Sequence, residues 1–248
     1  MTYVVGFILC EIYIPMVVKT ILLIVAVLLI LYLLVWFFSA KSTKLSGMQD
    51  GTKTSQISAE KLPSSGTNNY TYSIWFFVNN WNYRYGEEKI ILARGADQEK
   101  KGLVASLGAM ENNVKVSIAC YPSETDKGNV VMHDCMVDNV PLQKWVNLLI
   151  SVNGRTVDVY LDGKLTRTCV LPGVAKIDPT FPVHVTPGGG FAGFTSQAKY
   201  WPNATNPQQA YDIYQEGFGG SIFGNLLGKY KLKVAFMEDG VEASSFEI

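Results

Sequence analysis

The sequence predicts an all-β, two-sheet antiparallel sandwich with one short helix, preceded by a single N-terminal transmembrane helix. Three observations carry that expectation: an unbroken apolar run of 18 residues from Ile21 to Phe38, period-two alternation after residue 66, and Asn-Gly and Asp-Gly pairs set between consecutive strands. The charge balance narrows the function. Twenty-one Lys and Arg stand against 21 Asp and Glu in 248 residues, with only two His, which excludes a phosphate-driven nucleic-acid binder.

Residues 1–40 hold only two charged side chains, Glu11 and Lys19. From Thr20 to Ala40 there is none, and a helix of that length spans roughly 31 Å, the thickness of a bilayer's hydrocarbon core. Backbone amides in lipid must be satisfied internally, so residues 20–40 are expected to be a helix, with residues 1–19 as its flank. Trp36, Phe37 and Phe38 suit an interfacial belt. A cleaved signal peptide has a shorter apolar region behind a basic start, whereas this run follows an acidic, apolar stretch.

Lys41, Lys44 and Lys53 follow the run and only Lys19 precedes it, so the positive-inside rule places the large domain on the cytosolic side. Two glycosylation sequons, Asn69-Tyr70-Thr71 and Asn203-Ala204-Thr205, would be acceptors only in a secretory lumen. Cys10 belongs to the membrane end. The remaining Cys120, Cys135 and Cys169 fit buried thiols as well as one disulfide with one thiol left over.

Residues 41–66 are rich in Ser, Thr, Lys and Gly and are expected to be a polar linker of about 28 Å flexible span, with a possible edge strand around Ile57 to Pro63. The sandwich is expected over 67–248. Tyr70, Tyr72, Ile74, Phe76 and Val78 alternate with Thr71, Ser73, Trp75 and Phe77, so both faces carry apolar mass and the strand is interior. Further strands are expected at Lys89–Arg94, Leu103–Leu107, Val114–Tyr121 and Val130–Val137. Trp145–Val152, Arg155–Leu161 and Lys164–Leu171 form a meander through Asn153-Gly154 and Asp162-Gly163. Val183–Val185 and Phe191–Trp201 follow. Asn206 as N-cap, Pro207 at the first position and Gln209 at the third start the one soluble helix, which Gly217 stops. A C-terminal extension, 216–248, carries strands Tyr230–Met237 and Val241–Ile248 around an Asp239-Gly240 turn.

The ordered set Tyr72-Ser73-Ile74-Trp75-Phe76-Phe77, Lys89 to Gly95, Trp145 to Ile150, Val159-Tyr160-Leu161-Asp162-Gly163-Lys164 and Tyr200-Trp201 resembles the concanavalin A-like lectin/glucanase jelly roll in its laminin-G-like form over residues 67–216. The anchor, the Trp81-Asn82-Tyr83-Arg84-Tyr85-Gly86 loop and the Asn206-Pro207-Gln208-Gln209-Ala210-Tyr211 helix start are also similar to membrane-anchored proteins of large icosahedral DNA viruses of algae and protists. That likeness implies a place at the virion's inner membrane, as a minor capsid protein.

No catalytic set is expected. Glucanases of this fold use closely spaced carboxylates on one strand, whereas Glu87-Glu88 and Glu238-Asp239 fall at turns. His133 beside Cys135 is a weak nucleophile pair, and Gly217-Phe218-Gly219-Gly220 follows a helix rather than a strand, which argues against a phosphate loop. No cofactor is implied. Asp97 is a weak metal candidate. Trp81, Tyr83, Arg84 and Tyr85 suit either a glycan or partner contact or a plug at one end of the sandwich. Lys229, Lys231 and Lys233 share a strand face that meets lipid phosphates or an acidic partner, or protects an edge. The expected function is a non-enzymatic membrane-anchored structural protein tying a viral inner membrane to its capsid shell. The alternative is a carbohydrate-binding lectin or adhesin on a cell or virion surface.

Overall fold

The computed structural model describes residues 16–38, 42–63, 67–95, 101–121, 130–219, 233–238 and 241–247. Two compact units result, one ending at Lys41 and one beginning at Ser42. The first contains helix α1, Met16–Phe38, of 23 residues. Its side chains are described only over residues 18–33, about 24 Å of helix, and all of them are exposed. Among the described residues no helix is long and apolar enough to cross a membrane. The expected span, 20–40, lies partly outside them.

The second unit is all-β apart from α2, Pro207–Gln215, and two short 3-10 turns. Its strands are β1 Thr43–Ser46, β2 Gln49–Asp50, β3 Ser55–Ile57, β4 Tyr70–Asn80, β5 Lys89–Gly95, β6 Lys101–Leu107, β7 Val114–Cys120 and β8 Val131–Val137. They continue with β9 Trp145–Asn153, β10 Thr156–Leu161, β11 Lys164–Val170, β12 Val183–Val185, β13 Ala192–Trp201, β14 Lys233–Glu238 and β15 Val241–Glu247. One sheet runs β1-β13-β4-β9-β10-β11 with β2 also on β13, a second runs β3-β12-β5-β6-β7-β8, and β14 pairs with β15.

Residues 43–57 therefore correct the linker expected over 41–66. Their composition is polar, yet β1 and β2 pair with β13 and β3 pairs with β12, so this segment completes both sheets. Leu45 and Ile57 anchor it in the core. Backbone pairing on an edge strand needs few apolar side chains, which is why composition misled.

The core closes between the sheets. Tyr70, Tyr72, Ile74, Phe76 and Val78 of β4 enter it with Leu103, Ala105 and Leu107 of β6 and Val114, Val116 and Ile118 of β7. Cys135 of β8 and Cys169 of β11 form a disulfide with their Cα atoms 6.1 Å apart. These strands end the two sheet orders, so the bond staples one open side of the sandwich. Closing a loop of 34 residues restricts the unfolded chain by about 4 kcal/mol in the chain-entropy picture. Cys120 is the thiol left over among the described residues, and burial pushes its pKa up.

Turn chemistry sets the meander. Asp162 and Gly163 both take positive φ, 50° and 73°, and Leu161 pairs with Lys164, as a two-residue primed turn requires. The preceding turn is one residue later than expected: Asn153 pairs with Thr156, so Gly154 and Arg155 make it. Asn206 caps α2 as expected, its side chain accepting from the Gln209 N–H while the Gln209 side chain accepts from the Asn206 N–H. The helix then settles on the second turn, because a Cβ at Gly163 would lie 2.9 Å from the Tyr214 Cβ.

Gly163→Ala is expected to destabilise the domain by about 1–3 kcal/mol, since it adds backbone strain and a clash with α2; urea unfolding measures this. Burial raises the pKa values of Tyr70 and Tyr72 well above the ordinary value. The unfolded chain therefore ionises these phenols near pH 10 while the native state keeps their protons, and the stability they contribute is lost as pH rises above about 10. Denaturation midpoints followed from pH 8 to pH 11 should fall at the alkaline end, and Tyr70→Phe should shallow that fall.

Candidate functional site

The turn after β4 presents the sequence-predicted loop. Trp81 is half-buried against the core, and the Lys89 ammonium sits 4.6 Å from its ring centroid. Lys89 is fully covered, and its Nζ donates to the Glu87 carbonyl at 3.4 Å. Burial lowers the Lys89 pKa, with nearby Arg84 adding to the effect. Tyr83 donates its hydroxyl to the Gly189 carbonyl at 3.1 Å, and Arg84 donates to Gly188 O and holds Glu87 at 2.7 Å. Of the four residues, Tyr85 alone is well exposed, at 60%. One face of Trp81 is thus occupied by a cation, and Tyr83 and Arg84 lock this loop to Pro187–Gly189.

The other expected sites separate. Glu88 pairs with Lys115, so the Glu87-Glu88 pair is neutralised by two bases. Cys135 is disulfide-bonded and cannot serve His133 as a nucleophile. His184 places Nε2 3.2 Å from the Gly95 carbonyl. Among the described residues no group of three His, Cys, Asp or Glu could hold a metal. Asp97, Lys229 and Lys231 lie outside the described residues, and the side chain of Lys233 does too.

A surface that the sequence reading did not single out lies on the outer face of the first sheet. Phe194 of β13, Phe77 of β4 and Trp145 of β9 are register partners across three adjacent strands. The Phe77 and Trp145 rings are 5.8 Å apart, and Phe218, just beyond α2, stacks on Trp145 at 4.7 Å with 6° between planes. Further along the face Trp75 stacks on Tyr214 at 5.5 Å, and Ala210 and Ile213 of α2 cover Leu149 and Tyr160. The helix shields one part of the face and leaves the other open: Phe194 is 45% exposed and Phe218 37%. The signal for it was the presence of aromatics at both alternations of β4. What no local pattern disclosed was that Phe194, Trp145 and Phe218 would join them.

Inside the sandwich, Arg94 of β5 is buried, and among the described residues no carboxylate hydrogen-bonds to it. Its Nη1 donates to the Tyr72 hydroxyl at 3.2 Å, its Nη2 to the Asp178 carbonyl at 3.4 Å, and its guanidinium lies 5.7 Å from the Tyr200 ring centroid.

Residues 50–210 match the sequence profile described as the concanavalin A-like lectin/glucanases superfamily. The chain belongs to that superfamily. No curated protein sequence matches it. Similar solved structures include the binding domain of Paraclostridial Mosquitocidal Protein 1, at 15% identity over 73% of this chain and 50% of that one, TM-score 0.48. Another is the botulinum neurotoxin serotype D ligand binding domain in complex with N-acetylneuraminic acid, at 13% identity over 71% of this chain and 45% of that one, TM-score 0.47. The chain spans about half the length of these structures, and a likeness at this level identifies no ligand.

The packing of the loop distinguishes plug from platform. Trp81→Ala is expected to cost about 2–4 kcal/mol, because it removes a core-packed ring and uncovers the Lys89 ammonium. Tyr85→Ala should stay within about 0.5 kcal/mol, and thermal melts of the two variants check the contrast.

Proposed function

We propose that this chain is a non-catalytic, membrane-anchored interaction protein whose sandwich offers the aromatic strip of its first sheet to another protein. The observation that carries this reading is the row Phe194, Phe77, Trp145 and Phe218, left partly open beside α2. Three phenyl rings and one indole supply apolar area with a single hydrogen-bonding N–H among them. An apolar protein surface fits them better than a sugar, which needs polar groups placed around its stacking ring. As the anchor we take the charge-free run of residues 20–40, which as a helix would reach roughly 31 Å, the thickness of a bilayer's hydrocarbon core.

The finer form of this role is a tie between a viral inner membrane and its capsid shell, as a minor capsid component. It rests on the resemblance of the anchor, the loop and the helix start to proteins of large icosahedral DNA viruses, and it needs a domain facing the cytosol. A second reading is a carbohydrate-binding adhesin on a cell or virion surface, with Arg84 and Tyr85 at the contact. The Cys135–Cys169 bond favours that side of the membrane, because structural disulfides persist in oxidising compartments.

A photo-cross-linking amino acid at position 194 in the full chain, activated in intact membranes or particles, tests the leading reading. Shell protein in the adduct, lost when Trp145 is replaced by Ser, is the expected result; adducts with lipid or with this chain alone overturn it. Retention of the chain in the membrane pellet after alkaline carbonate washing is expected, and release would remove the anchor from the proposal. Glycan binding abolished by Tyr85→Ala would establish the adhesin instead.

A further inference from the structure

We propose that the sandwich lies on the non-cytosolic side of its membrane and carries an N-linked glycan on Asn203. The inference rests on the membrane anchor proposed above; it holds for a protein or glycan partner met outside the cytosol, and it excludes the capsid tie, which needs a cytosol-facing domain.

Two independent observations converge on it. The first is the staple between β8 and β11. These are the outermost strands of two different sheets, 34 residues apart in sequence, and the fold brings their cysteines together with a Cα separation of 6.1 Å. Such a bond forms and lasts where thiols are oxidised, and cytosolic reductants oppose it. The second is the position of the sequon Asn203-Ala204-Thr205. It lies in the connection between β13 and α2, where Asn203 is exposed, so a glycan attached there has room. The sequon's backbone is fixed underneath: the Asn203 carbonyl accepts from the Thr71 hydroxyl at 2.8 Å, and the Thr205 N–H donates to Ser151 Oγ at 2.9 Å.

Asn69, in the other sequon, is half-buried at the entry to β4, and its Oδ1 accepts from the Gly154 N–H at 2.9 Å. Asn203 is therefore the position at which the folded domain leaves more room for a glycan. The Thr205 hydroxyl donates to Thr71 Oγ1 at 2.9 Å, and Thr71 is fully covered, so the hydroxyls of both sequons are engaged with each other once the domain has folded. Transfer then has to occur on the emerging chain, before β4 and β13 close together, and not on the finished domain.

The lysines at positions 41, 44 and 53 pull toward the opposite orientation. Their influence is weak for a following segment of this size, because the positive-inside bias is set in short loops, and long domains translocate largely regardless of charge.

Translation of the full chain in the presence of endoplasmic-reticulum microsomes tests both halves. The expected result is a product resistant to added protease, slower in its migration, with a mobility step that endoglycosidase removes and Asn203→Gln abolishes. Non-reducing peptide mapping of the same product should recover Cys135 and Cys169 linked. Folded chain added to microsomes after synthesis should acquire no glycan. Digestion of the domain by external protease, or a protected product that Asn203→Gln leaves unaltered in mobility, overturns the proposal. Asn203→Gln alters an exposed side chain, and recovery of the Cys135–Cys169 linkage in that variant verifies that it still folds.

Discussion

Both faces of β4 are buried, and the rest of the domain is arranged around that constraint. Toward the second sheet it sends Tyr70, Tyr72, Ile74, Phe76 and Val78, which close the core. Toward the outside it presents Thr71, Ser73, Trp75 and Phe77, of which the first three are almost fully covered. A strand with two apolar faces cannot stay at a sheet surface, so it needs β13 and β9 on its flanks and a second layer on each side. The second sheet is one layer; α2 and the segments before and after it are the other.

Among the described residues that outer layer is incomplete, and its incompleteness leaves aromatic side chains exposed. The 203–206 segment ties down the polar end of the face through Thr71, Ser151 and Thr205. The helix covers Leu149 and Tyr160, and Tyr214 covers Trp75. Beyond Phe218 the aromatic row runs on to Phe194 with less above it. The end loop, which the sequence offered as either a glycan contact or a plug, is by contrast largely committed to the fold, since the ring of Trp81 faces the Lys89 ammonium and Tyr83 and Arg84 hold the glycine turn.

Two cations, Lys89 and Arg94, are enclosed with no carboxylate hydrogen-bonded to either among the described residues, and each rests against an aromatic ring and a backbone carbonyl. Such groups are costly to desolvate, and the ring quadrupoles and carbonyl dipoles offset part of that cost. Both sit in β5, at its first residue and one before its last, so they mark where the strand enters and leaves the core rather than its middle.

What the sequence by itself determined was local. The period-two runs located β4 to β13 to within a residue or two, the Asp162-Gly163 pair required its primed turn, and Asn206, Pro207 and Gln209 started α2, because strand alternation, left-handed turn residues and caps act between near neighbours. The tertiary structure decided which distant segments meet. It paired Cys135 with Cys169 and left Cys120 over, drew the polar residues 43–57 into the sheets, and aligned Phe194, Phe77 and Trp145 into one row. Each of these depends on the order in which strands lie side by side, and that order is set by burying both faces of the sheets at once, a long-range condition that no short window of residues contains.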